Sequence, residues 1–154
     1  MYLDWRDDGE TAWCMNEYRW DSAREMRQKT GGQYADDMEL FVNGVATPGD
    51  RSPQIIVDPS AASFKVELQQ RGWWVTDAEN DVQLGIQKTS SALARGLIRF
   101  HREKCKATIA EFETYSWDTK KALRGIEEPA HACSHGPDAV RYLCMTKIPA
   151  WRLM

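Results

Sequence analysis

The sequence predicts an α/β domain, and three observations carry that prediction. Short apolar or aromatic runs of strand length alternate with segments of helical periodicity. The run from Gln54 to Val57 is apolar after its first residue and bounded by turn residues, as in a buried strand. Glycine and proline punctuate the junctions, at Gly9, Gly31-Gly32, Pro48-Gly49, Pro59, Gly72 and Gly96. With 154 residues and 42% hydrophobic content the chain can enclose one core but not two substantial ones, so residues 1–154 are read as a single domain.

Thr11 to Trp20 is an aromatic-rich strand entered through the turn Asp7-Asp8-Gly9. Gly31-Gly32 breaks the chain before a helix from Gln33 to Asn43, and Tyr34, Met38, Phe41 and Val45 recur at helical spacing. Thr47 to Pro53 is a loop, and Gln54 to Val57 the buried strand. Pro59 and Ser60 open the next helix, which turns Phe64 and Leu68 inward and ends near Gly72. Trp73 to Thr76 supplies another strand, its tryptophans expected to be core or half-buried.

Asn80 is the expected N-cap of a helix to Arg95, with Val82, Ile86, Thr89 and Leu93 as its apolar stripe and Gly96 as its stop. Leu97 to Phe100 is a strand. Lys104 to Tyr115 is a helix with Cys105, Ile109 and Phe112 inward, and a last helix runs from Pro137 to Met145. Strands alternating with helices of this length build a sheet with helices on its faces.

The net charge of −3 and a pI near 5.6 argue against a free-standing DNA-binding protein, whose affinity would come from cations replacing phosphate counterions. Local basic groups remain: Arg95, Arg99, Arg102, Lys104 and Lys106 in one cluster, Lys120, Lys121 and Arg124 in another. No apolar run of about 18 residues occurs, and the amino terminus lacks the basic and apolar regions of a signal peptide, so a soluble, intracellular chain with no membrane association is expected. Cys14, Cys105, Cys133 and Cys144 have no C-x-x-C spacing and read as reduced, mostly buried thiols. His131-x-Cys133-x-His135 has strand spacing and no second ligand pair, which speaks against structural zinc.

Two acids stand where chemistry is possible. Asp58 ends the apolar strand and suits either a helix N-cap or a metal ligand. Asp138 lies three residues after His135, at the mouth of the last helix, where it either complements the helix dipole or supplies a second carboxylate. His135 suits an exposed cap or a residue that orients water or touches a metal. Glu111 and Glu113 are further candidates, with Glu113 beside the apolar face of its helix and Glu111 toward solvent.

Four runs, in this order, give the chain a specific likeness: Val57-Asp58-Pro59-Ser60-Ala61-Ala62-Ser63-Phe64, then Ala78-Glu79-Asn80-Asp81-Val82-Gln83-Leu84-Gly85-Ile86, then Glu111-Phe112-Glu113-Thr114-Tyr115-Ser116-Trp117-Asp118, then His135 to Tyr142. Upstream, Glu17-Tyr18-Arg19-Trp20-Asp21-Ser22, Gln28-Lys29-Thr30 and Tyr34-Ala35-Asp36-Asp37 extend it. Together they resemble the carboxyl-terminal nuclease domain of the phage terminase large subunit, in its PBSX-like branch.

That resemblance implies a ribonuclease H-like fold with a mixed central β-sheet flanked by helices. It also implies a metal-dependent endonuclease that cuts concatemeric double-stranded DNA during genome packaging in the host cytoplasm. Asp58 and Asp138 would hold Mg²⁺ or Mn²⁺ in a two-metal site, with His135 and Glu111 as further catalytic residues and Arg99, Arg102 and Lys104 contacting DNA. The implied partners are double-stranded DNA, the terminase small subunit, the portal protein and the terminase ATPase domain.

The family also carries an Asp immediately before the matching histidine, where this chain has Ser134, and a further Asp in an Asp-Tyr-Gly or Asp-Phe-Gly context on its first strand. Asp4 lacks that glycine context, and no G-x-x-x-x-G-K-[ST] phosphate loop occurs. The expectation is therefore an amino-terminally truncated nuclease domain without its ATPase domain or first strand. The competing expectation is a catalytically incomplete, nuclease-like module that binds DNA or packaging proteins.

Overall fold

The computed structural model describes residues 1–115, 123–125 and 134–148. The elements in order are β1 (Tyr2–Asp7), β2 (Ala12–Tyr18), α1 (Gly31–Val45), β3 (Gln54–Val57), α2 (Ala62–Gln70), β4 (Trp74–Asp77), α3 (Val82–Ala94), β5 (Ile98–Phe100), α4 (Lys106–Thr114) and α5 (His135–Thr146). The predicted α/β class is observed. The strands form two pieces, a mixed sheet β1-β2-β5 and a parallel pair β3-β4.

β1 is the strand the sequence reading did not anticipate, because its charges interrupt any apolar run. It is held as a hairpin with β2: Asp8 Oδ1 accepts from the backbone of Glu10 and Thr11, and Gly9 takes φ +92°. Leu3 and Trp5 pack against Ala92, Ile98, Val140 and Cys144 on the face covered by α3 and α5. Tyr2 packs on the opposite face with Met38, Leu68 and Phe64, under α1 and α2. In the pairing Asp4 faces Asn16 and Trp5 faces Cys14, so Met15 is an extra residue, a bulge in β2.

β1 and β3 run in opposite directions. At one end Arg6 of β1 binds Asp50 at 2.7 Å and the Val45 carbonyl at 3.0 Å, just before β3 begins. At the other end the Tyr2 ring stacks on Phe64, beyond where β3 ends.

Several boundaries move for identifiable reasons. Gly31 and Gly32 open α1 rather than breaking the chain before it, because Thr30 and Gln33 form a capping box. A Cβ on Gly31 would sit 3.5 Å from the α2 backbone, an ordinary van der Waals contact between the two helices. α2 starts at Ala62 rather than Pro59 and has no side-chain cap. Asp81, not Asn80, caps α3 by accepting from Leu84 at 2.9 Å. The buried face of α3 is Gly85, Thr89 and Ala92, while Leu93 is exposed. Trp74, expected to be packed, is 65% exposed with Lys147 over its ring. Cys14, Cys105 and Cys144 are free and buried, as expected. Trp117, Lys120, Lys121, His131 and Cys133 lie outside the described residues. Among the described residues no helix is long and apolar enough to cross a membrane.

Candidate functional site

β3 is parallel to β4 and delivers Asp58 at its carboxyl end. The Asp58 side chain is half-buried and fully engaged: Tyr142 Oη donates to Oδ2 at 2.6 Å, and the Ser60 amide and hydroxyl each donate to Oδ1 at 2.8 Å. It does not cap α2, which removes the capping reading. Burial pushes the carboxyl up, but the hydrogen bonds from Tyr142 and Ser60 and the charge of Arg141 outweigh it, so Asp58 titrates below its ordinary value. Burial and the bond to Asp58 push the Tyr142 phenol up, which keeps it a donor.

α5 carries the other half. Asp138 is in its first turn, where a negative charge complements the helix dipole. Tyr142, one turn later, lies on the same helix face. Arg141 is 4% exposed and ties the helix to its surroundings: Nη1 donates to Asn80 Oδ1 at 2.9 Å, Nη2 to Asp138 Oδ1 at 3.3 Å, and the guanidinium lies 4.8 Å from the Tyr142 ring centre. Gly85 makes room for it, since a Cβ there would fall 2.6 Å from Arg141 Cγ. Asn80 thus acts as a tether for Arg141 rather than as a cap.

Beneath the start of α5 lies Glu111, buried at 6% exposure. Its Oε2 accepts from the Gly136 amide at 2.5 Å, and its Oε1 lies 2.5 Å from Arg19 Nη1, an ion pair whose geometry falls short of a hydrogen bond. Glu113 is exposed. The two acids therefore exchange the places expected from the sequence: the inward stripe of α4 is Cys105, Thr108 and Glu111, because the α5 amide and Arg19 both need a carboxylate. α4 itself is capped from β2, with Glu17 accepting from the amides of Ala107 and Thr108 at 2.7 and 2.9 Å.

Asp58, His135 and Asp138 line one cavity of about 830 Å³, whose walls also include β1, β3, α1 and α5. His135 is exposed and also lines the cavity, three residues before Asp138 on α5. Asp4 also lines the cavity, held by Asn16 at 2.9 Å and Arg6 at 3.2 Å. Among the described residues no three His, Cys, Asp or Glu side chains are grouped closely enough to cage a cation by themselves. Two carboxylates nevertheless match what Mg²⁺ takes from proteins, one or two acids with the remaining positions left to water and phosphate oxygens.

No protein-family model matches the chain, and no curated protein sequence is significantly similar to it. Solved structures are. The ADP complex of the large terminase from a thermophilic bacteriophage superposes with a TM-score of 0.83 and 36% identity, over 93% of this chain and 35% of that one. Another crystal of the same large terminase gives 0.84 and 35%, over 94% and 36%. The chain belongs to the phage large terminases.

Its fold is the ribonuclease H-like fold of the terminase nuclease domain, with five helices flanking the strands among the described residues. The chain spans about a third of the length of the terminases it matches. Asp58 and Asp138 come from separate elements to one cavity, whereas Arg99, Arg102 and Lys104 do not line it. Arg99 sits on β5 with its guanidinium 5.6 Å from the Trp13 ring centre; Arg102 and Lys104 are exposed just after β5, which runs parallel to β2. Sequence reading assigned no role to Tyr142 or Arg141 and took Asn80 for a helix cap. The four-residue spacing from Asp138 to Tyr142 was the available signal for the first; nothing local announces the others.

Proposed function

We propose that this chain is the metal-dependent endonuclease part of a phage large terminase, cutting concatemeric double-stranded DNA during genome packaging. The observation that carries the reading is the convergence of Asp58 and Asp138 on one cavity, joined through Tyr142 and Arg141. Asp58 and Asp138 would hold Mg²⁺ or Mn²⁺, which when bound supplies charge neutralisation at the scissile phosphate and an activated water. Tyr142 and Ser60 fix the Asp58 carboxylate and keep it ionised at neutral pH, so it is ready to ligate without losing a proton. Arg141, three residues along the same helix, holds the Asp138 carboxylate with a 3.3 Å contact. Glu111 is a positioning residue that anchors the first turn of α5, and His135 is exposed at the cavity, where it can meet a leaving oxygen or a water.

Arg102 and Lys104 follow β5 at the end of the sheet where Asp58 emerges, as its parallel pairing with β2 and the opposed β1 and β3 directions require. They suit phosphate contacts that position a duplex without reading its sequence. The ATPase domain, small subunit and portal are the partners this role implies. The second reading, a catalytically incomplete module that docks DNA or packaging proteins, is favoured by one observation, the lack of a three-ligand group among the described residues.

Incubation of the chain with supercoiled plasmid and Mn²⁺ separates the two. Cutting that is lost in both Asp58→Ala and Asp138→Ala supports the nuclease; a wild-type chain that neither cuts nor gains thermal stability with millimolar Mn²⁺ supports the docking module.

A further inference from the structure

The turn between β2 and α1 presents a methionine to solvent on a strained backbone. Met26 is 91% exposed at φ +49°, and among the described residues it is the one non-glycine with a positive φ. Glycine would make this turn without strain and without offering an apolar side chain to water. As a turn residue Met26 is the poorer choice, and it packs against almost nothing in the chain.

Backbone strain of this kind concentrates at ligand clamps, and here the turn is braced from within. Asp21 Oδ1 accepts from the amides of Ala23 and Arg24 at 3.1 Å, the Asp21 carbonyl from Glu25 at 2.9 Å, and the Ser22 carbonyl from Arg27 at 3.1 Å. Trp20 Nε1 donates to the Arg27 carbonyl at 3.1 Å, and Lys29 Nζ lies 3.9 Å from the Trp20 ring centre. The tip is a built projection. Residues 23–28 are all exposed, and counted with Glu25 they carry one net positive charge. Arg24 and Arg27 flank Met26 and form no salt bridge among the described residues, whereas Arg19 and Lys29 at the base are bound to Glu111 and Asp37.

An apolar side chain between two unbridged guanidinium groups suits duplex DNA, whose minor groove attracts arginine and whose base steps accept methionine as a wedge. Its position agrees. β2 is antiparallel to β1, and β1 is opposed to β3, so residues 19–30 leave the sheet at the end where Asp58 emerges. Arg19 also reaches, through Glu111, the first turn of the helix that carries Asp138.

We infer that the β2–α1 turn is a DNA-kinking wedge: Met26 enters the minor groove and parts one base step, while Arg24 and Arg27 neutralise the phosphates lining that groove. The inference rests on duplex DNA being the substrate and adds where and how that duplex is deformed. Such a wedge favours flexible pyrimidine–purine steps, which unstack most easily, without reading base identity.

A duplex of about 30 base pairs, with 2-aminopurine replacing adenine in one central TA step between stiff A-tracts, tests it in EDTA at about 50 mM salt. Binding of the 154-residue chain should raise the 2-aminopurine fluorescence, because an unstacked base is no longer quenched. Met26→Gly should lose that rise, keep the wild-type slope of log affinity against log salt, and melt no lower than wild type, since glycine relieves the strained φ. Met26→Leu should retain the rise. Arg24→Ala and Arg27→Ala should each reduce the salt slope by about 1. The inference is overturned if the chain does not bind the duplex, if it binds without unstacking, or if Met26→Gly raises the fluorescence as well as wild type does. It is also overturned if the wild type, but not Met26→Gly, self-associates without DNA, which would make a protein surface the partner of the methionine. No divalent metal is present, so a chain that unstacks the step yet fails the Mn²⁺ cleavage test keeps the wedge and loses the nuclease, and the reverse result does the opposite.

Discussion

Tyr142 and Asp58 are 84 residues apart in the chain and meet in a single 2.6 Å hydrogen bond that ties the last helix to the end of β3. Removing the phenol with Tyr142→Phe should cost about 1 kcal/mol in urea unfolding at pH 7, the usual worth of one half-exposed hydrogen bond.

The same variant has a pH signature. Asp58 titrates below its ordinary value in the folded chain, so its stabilising contribution is fully present above the unfolded carboxyl pKa, about 3.9, and is lost as pH falls through the folded value. The stability difference between wild type and Tyr142→Phe should therefore shrink as pH falls below the unfolded value of about 3.9. A difference that stays constant from pH 7 into that range would show that the bond does not favour the ionised acid.

Gly136→Ala should be destabilising by about 1–3 kcal/mol, because the added methyl would fall 2.9 Å from Glu111 Oε2 and 3.0 Å from the Thr108 backbone. If α5 carries Asp138 to the metal, Mn²⁺ affinity measured by titration should fall as well, while Glu113→Ala, at an exposed position, should leave both quantities unchanged.

Asn80 and Arg141 should be energetically coupled. Asn80→Ala leaves a buried guanidinium nitrogen without its 2.9 Å partner, so a double-mutant cycle with Arg141→Ala, read by chemical unfolding, should give an interaction of roughly 0.5–3 kcal/mol. Additive effects would show that the contact does not tether the helix.

The buried thiols should be inert. Burial pushes Cys144 up to about 11, so at pH 8 only about one molecule in a thousand carries its thiolate, and Cys14 is pushed up further. Reaction with a colorimetric disulfide reagent should be slow for Cys14, Cys105 and Cys144 in the native chain and fast in denaturant; rapid native labelling of any of them would contradict their placement.

The α/β class was legible because buried strands such as Gln54 to Val57 and glycine stops such as Gly72 and Gly96 act locally. Asp58 and Asp138 were singled out through family likeness, and both line the same cavity. β1 escaped because its stability comes from a partner strand and from packing on both faces, neither of which its own mixed residues display. The Glu111 and Glu113 assignment failed for a related reason. Apolar periodicity puts charge outward, but here the α5 amide and Arg19 draw one carboxylate in. Asn80 and Asp81 are equally good caps by type, and only the distant Arg141 decides between them.

The Met15 bulge has a bearing on how the chain finds its alignment. Side chains alternate along a strand, so one extra residue exchanges the sides taken by everything after it, Glu17 included. Glu17 then arrives under the amides of Ala107 and Thr108, and a hairpin zipped one residue out of step would leave α4 with an empty first turn. A helix formed some ninety residues later thus proofreads the pairing of the first two strands.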